Sequence, residues 1–194
     1  EGSAPEVLIG AVDGGRGIVI EAGAGIDTIG LGAAGLPSSL GYVYQVGGGL
    51  LAVSNDHPEV LAPATGTTGT RVDIDIGACD PGVTCAGQAR LVSEGSINVA
   101  SSGQLQLREG AVYGTRELAL GMGNINLGTA EAIARAAGAS ALPPGLMLNQ
   151  QVLRDLLRGN TAVGAPALET LRLNAAEAIN VFGSVDLDTR DASP

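Results

Sequence analysis

Apolar and polar residues alternate in short bursts along most of this chain. Val7-Leu8-Ile9, Ile18-Val19-Ile20, Ile29-Gly30-Leu31 and Val72-Asp73-Ile74-Asp75-Ile76 begin the series. Ile97-Asn98-Val99, Leu105-Gln106-Leu107, Leu118-Ala119-Leu120 and Ile125-Asn126-Leu127 continue it. A period of two puts one set of side chains on each face of a strand, so each burst predicts a short strand with one buried face. Ile97 to Leu118 is a step of 21 residues and Leu105 to Ile125 a step of 20. Two interleaved strands that return after nearly the same interval predict a coil. Ser102-Gly103, Glu109-Gly110 and Gly121-Met122-Gly123 mark its corners, too short to hold crossover helices. Parallel strands without such helices must wind as a solenoid. Asp13-Gly14 is the one candidate for a two-residue hairpin, and its flanks are unequal.

The same alternation resumes in Leu171-Arg172-Leu173, Ile179-Asn180-Val181 and Val185-Asp186-Leu187, where the step from Leu171 to Ile179 is eight, as from Ile97 to Leu105. Residues 129–160 break the pattern. Thr129 can cap a helix over Ala130 to Ala137 that Gly138 ends. After Pro143-Pro144-Gly145, Asn149 can cap a second helix in which Val152, Leu153, Leu156 and Leu157 form one apolar stripe before Gly159. Its predicted role is to dock on the strands. Segment 32–70 reads as strands separated by surface loops, with Leu50-Leu51-Ala52-Val53 between glycine-rich and threonine-rich stretches. The predicted fold is therefore all-β: a right-handed parallel β-helix spanning 1–194, with a short helical excursion at 129–160. A leucine-rich repeat is the rival, since Leu168-x-x-Leu171-x-Leu173 fits the start of its pattern, but Ala176 stands at the position of the ladder Asn.

Composition narrows the core and the partners. Hydrophobic residues are 45% of the chain and aromatic ones 2%, with no Trp and one Phe, so the core must be thin layers of Val, Ile, Leu and Ala. The 31 glycines are spread among β-branched runs, as tight corners require. Ten basic residues, all Arg, face 20 acidic ones for a formal charge of −10, which argues against a nucleic-acid partner. No apolar run reaches the roughly 18 residues of a membrane span. The sequence opens on Glu1-Gly2-Ser3 without Met or a visible signal, so the chain reads as a piece of something longer.

Three stretches carry a family resemblance: Val112-Tyr113-Gly114-Thr115-Arg116-Glu117-Leu118-Ala119-Leu120, then Leu142-Pro143-Pro144-Gly145-Leu146 running into Leu148-Asn149-Gln150-Gln151-Val152-Leu153, then Gly164-Ala165-Pro166-Ala167-Leu168-Glu169. The chain resembles the filamentous-haemagglutinin-like exoproteins of Gram-negative bacteria over roughly residues 70–190. The resemblance implies a β-helical fibre, secreted to the bacterial cell surface as a two-partner secretion passenger. Its implied partners are an outer-membrane transporter for the parent chain and host or bacterial cell-surface receptors. Family members serve as adhesins, as biofilm components or as stalks for cargo carried elsewhere in the chain.

Each candidate constellation for chemistry lacks a partner. Asp73 and Asp75, and likewise Asp186 and Asp188, alternate on one strand face, a spacing also found in β-helices that process polysaccharides. An outward strand face needs polar residues in any case, and charge there blocks edge-to-edge pairing. Ala22-Gly23-Ala24-Gly25-Ile26-Asp27 approaches a calcium-binding repeat, but no neighbouring copy follows to complete the oxygen shell. His57, the single histidine, precedes Pro58 with no evident acid or nucleophile. Gly30-x-Gly32 and Gly121-x-Gly123 lack the strand, helix and distant acid of a nucleotide site. No catalytic, cofactor or metal residue is assigned. The expected function is a structural or adhesive segment of a surface exoprotein, with a β-helical polysaccharide-active enzyme or a passive stalk as alternatives.

The two cysteines, Cys79 and Cys85, flank Asp80-Pro81-Gly82, a strong turn signal that can bring them within disulfide reach. The five-residue spacing is not that of a Cys-x-x-Cys redox pair. A Cys79–Cys85 disulfide is predicted, closing a small loop that adds roughly 2–3 kcal/mol of stability. Intact-mass measurement after alkylation, on non-reduced protein from an oxidising compartment, should find neither thiol labelled; two labels would refute the bridge.

Overall fold

Stacked in-register ladders organise the computed structural model, which describes residues 6–11, 17–28, 43–44, 49–54, 59–60, 73–79 and 87–187. The first ladder runs through β2 (Ile18–Glu21), β7 (Ile74–Ala78), β10 (Leu105–Leu107) and β13 (Leu146–Asn149), all parallel. It continues into the C-terminal halves of β12 (Glu117–Gly128) and β14 (Thr170–Phe182). A second ladder is β3 (Gly25–Asp27), β8 (Arg90–Val92) and β11 (Val112–Gly114). The third joins β9 (Ser96–Ser101) to the N-terminal halves of β12 and β14. Two antiparallel strands extend it: β5 (Gly49–Ser54) on β9, and β1 (Glu6–Ala11) on β5. The short pair β4 (Val43–Tyr44) and β6 (Glu59–Val60) is parallel, with β6 beside β9. The fold is thus mostly β and rich in parallel pairs, and the large sheet nearly closes because β1 also approaches β2.

Parallel register stacks like on like. Ile18, Ile74, Leu105, Leu146, Ile125 and Ile179 follow one another along the first ladder. Ile97, Leu118 and Leu171 form a column of the third ladder, and Ile26, Leu91 and Tyr113 one of the second. Between strands the stacking is polar. Thr28, Ser93 and Thr115 each follow a strand of the second ladder, all buried. The Thr28 hydroxyl donates to Ser93 Oγ at 3.0 Å, and Thr115 Oγ1 donates to the Gly95 carbonyl at 3.0 Å.

The 21-residue return appears directly, with Leu118 beside Ile97. Leu105 and Ile125 share a column, but Leu146 lies between them. The reason is β12, read from the sequence as two strands around a Gly121-Met122-Gly123 corner but in fact continuous. It runs past one layer, and β13 later fills the gap. β14 is also one strand, and its residues 176–177 bulge opposite Gly123. The bulge absorbs the difference between seven residues from Leu118 to Ile125 and eight from Leu171 to Ile179.

Both helices of the excursion are present, separated by β13. In α1 (Ala130–Gly138) Thr129 accepts from Ala132 N, and in α2 (Gln150–Arg158) Asn149 accepts from the N–H groups of Gln151 and Val152. Return to the gap depends on Gly145, where a Cβ would stand 2.1 Å from the Asn124 carbonyl oxygen. Asn124 and Asn126 hold this return, donating to the carbonyls of Pro144 and Pro143. α2 lies against β11 and β13, with Val152, Leu153, Leu156 and Leu157 all buried in the core. Val185-Asp186-Leu187, expected as a strand, is irregular and tied to Gln150 through both backbone groups of Asp186. Ile29-Gly30-Leu31 and most of 32–70 lie outside the described residues.

Leu156 is 1% exposed. Leu156→Ala should therefore cost about 2–5 kcal/mol, lost transfer energy plus a cavity. A urea denaturation midpoint equal to that of the parent chain would show α2 to contribute nothing to the core.

Candidate functional site

The outward face of the first ladder, bordered by α1, holds a concavity together with the carboxylates singled out in the sequence. β7 and β10 pair so that Asp75 lies beside Gln106, with Arg108 just beyond the end of β10. Arg108 grips Asp75 with two donors, Nε to Oδ1 at 2.8 Å and Nη2 to Oδ2 at 2.7 Å. That hydrogen bonding is the chief cause of a raised Arg108 pKa, which partial desolvation opposes. Asp73 Oδ1 accepts from the Gln104 backbone N–H at 2.7 Å. Both carboxylates therefore bind the next layer. Exposed pairs of this kind contribute at most about 1 kcal/mol each.

Other charges repeat the arrangement one layer away. Asp27, the acid of the calcium-like segment, pairs with Arg90 at 2.8 Å. Arg116 pairs with Glu169. Among the described residues no three metal-ligating side chains gather, and no helix is long and apolar enough to cross a membrane. Gly121 and Gly123 lie within β12, so they form no loop that could cradle a phosphate. Asp186 engages Gln150 through its backbone, while Asp188 and His57 lie outside the described residues. Cys79 is exposed one residue beyond β7, and Cys85 lies outside the described residues.

Next to Arg108 a groove of about 410 Å³ runs between α1 and the sheet. Ile133, Ala134 and Ala137 form its helical wall, Leu142 and Met147 its apolar floor, and Arg108 and Glu109 its polar end. The wall follows from the helix sequence, because small side chains at 134 and 137 leave space that longer ones would fill. The floor follows from β13, which places Met147 outward between the inward Leu146 and Leu148. Sequence reasoning missed this groove. Its halves, at 106–109 and 130–149, meet only through the insertion of β13 beside β10.

Behind the Arg108 corner lies Tyr113, a buried phenol whose hydroxyl donates to the Arg108 carbonyl at 2.9 Å and stands 3.3 Å from that of Ile76. Burial is the main cause of its raised pKa. The folded chain therefore favours the neutral phenol, and as pH rises past the ordinary value of 10.0 the unfolded chain releases its proton first. Stability from this group is full below pH 10 and falls above it. Tyr113→Phe should flatten that alkaline loss while lowering stability at neutral pH by roughly 1 kcal/mol for the lost hydrogen bond. Denaturation series at pH 7 to 11 check this, and parallel curves for the two proteins would count against it.

No protein-family model, curated protein or solved structure matches the chain.

Proposed function

We propose that this chain is a structural and adhesive segment of a large secreted bacterial surface protein, wound as a right-handed parallel β-helix and exported by two-partner secretion. The observation that carries the reading is the use of polar side chains as ties between layers. Asp73 and Asp75 bind Gln104 and Arg108, Asp27 binds Arg90, and Glu169 binds Arg116. Such a body supplies length and rigidity. On this reading contacts with host or bacterial cells fall to its decorations, and the groove under α1 is shaped to take a protruding apolar group. The Cys79–Cys85 bridge belongs to the same proposal, as does an outer-membrane transporter as partner of the parent chain.

Binding of the purified chain to cultured host cells and to bacteria, measured beside a screen for polysaccharide turnover, tests it. The expected result is saturable cell binding, weakened at least tenfold by Ala134→Arg in the groove and unchanged by Asp75→Asn, with no turnover. Depolymerisation that disappears in Asp73→Asn or Asp75→Asn would replace this reading with an enzymatic one. Absence of binding would reduce the segment to a passive stalk.

A further inference from the structure

The groove under α1 lies where β10 meets β13, with β7 and β2 beyond one side and β12 and β14 beyond the other. It is therefore inside the stack, and further layers at either end of the ladder would not cover it. Its helical side faces solvent, since Ala130, Ala134 and Ala137 are all exposed along α1. Sites for small molecules bury most of the ligand's surface. A trough of about 410 Å³ with one long side in solvent does not. Its shape suits a side chain delivered by a larger body, whose remaining contacts fall outside the groove.

Charge selects which side chain. Arg108 is already gripped by Asp75 through two donors. The neighbouring Glu109 carboxylate, exposed at the same end, engages no side chain among the described residues. Glu131 and Arg135, the other charges of α1, lie off the groove wall and are of opposite sign. An apolar trough that ends in one uncommitted carboxylate complements an aliphatic stem that ends in a cation. The formal charge of −10 on the whole chain favours the same sign of partner. Lysine has that form, a flexible apolar stem with a compact ammonium at its tip. Arginine's planar fork gains from stacking on an aromatic face, and no aromatic ring lines the groove. We propose that the groove receives a lysine side chain of a partner protein, its stem along Ala134, Ala137 and Met147 and its ammonium at the Glu109 carboxylate. That a cell-surface protein supplies the lysine rests on the adhesive reading.

The chain has two methionines, Met147 on the groove floor and Met122 fully buried in β12, and their methyl groups report separately on site and core. NMR of protein labelled at those methyls, titrated with the blocked peptide acetyl-Leu-Lys-Leu-amide, tests the assignment. The expected result is a saturable shift of Met147 with Met122 unmoved, and weaker binding when norleucine, glutamate or arginine replaces the peptide's lysine. Glu109→Gln should weaken the lysine peptide by about fivefold, the upper range for an exposed ion pair, and leave the norleucine peptide unchanged. An unshifted Met122 signal verifies that this variant folds. A silent Met147, an arginine or norleucine peptide that binds as tightly, or a Glu109→Gln variant that binds lysine as before would overturn the proposal. Lysine-peptide binding by a chain that binds no cells would uphold the groove and remove the adhesive reading. Cell binding with Met147 silent would do the reverse.

Discussion

Parallel register between successive layers is the constraint on which this structure depends. Each three- to six-residue strand satisfies its backbone groups only through its neighbours, since none is long enough to persist alone. Register then decides side-chain chemistry. A slip of one residue would turn every Ile and Leu of a column outward and bring the Asp75 face into the core. Aliphatic columns thus fix the register, and the register in turn places Asp75 beside Arg108 and Thr28 beside Ser93. The ties between layers are a consequence of the core, not a substitute for it, since exposed ion pairs contribute little alone.

Much of the first and third ladders was legible, and the second was not. Ile97-Asn98-Val99 and Leu118-Ala119-Leu120 each show two inward residues around an outward one, and the 21-residue step between them is the observed register. Strands β3, β8 and β11 turn only Ile26, Leu91 and Tyr113 inward along their column, so alternation has nothing to repeat. Gly121-Met122-Gly123 looks like a corner because two glycines flank one residue. Met122 is instead fully buried within a continuous strand. The helices were legible because caps and stripes are local signals, and Thr129, Asn149 and Leu156 act as their positions foretold.

Insertion of β13 could not be read, although Leu146 and Leu148 alternate as the other bursts do. Its position between β10 and β12 depends on β12 passing a layer first, a long-range event without a local mark. The same event makes the groove. Without β13 on the sheet, Met147 would not floor it, and without the return through Pro143, Pro144 and Gly145 there would be no overhanging α1. Likewise the partners of Asp73 and Asp75 stand 31 and 33 residues away, one layer on. Sequence shows the carboxylates as a pair and hides the partners that give them their role.

Stacked layers also determine where this body can be recognised. Along the ladders, backbone groups are paired and polar side chains such as Asp75 and Asn126 are bound to neighbouring layers, so little is left to answer a ligand. On the adhesive reading, recognition falls where layering is interrupted. One interruption is the excursion, which lifts α1 off the sheet and leaves a recess walled by alanines. The recess admits an apolar protrusion, because its helical wall is mostly alanine and its floor is Leu142 and Met147.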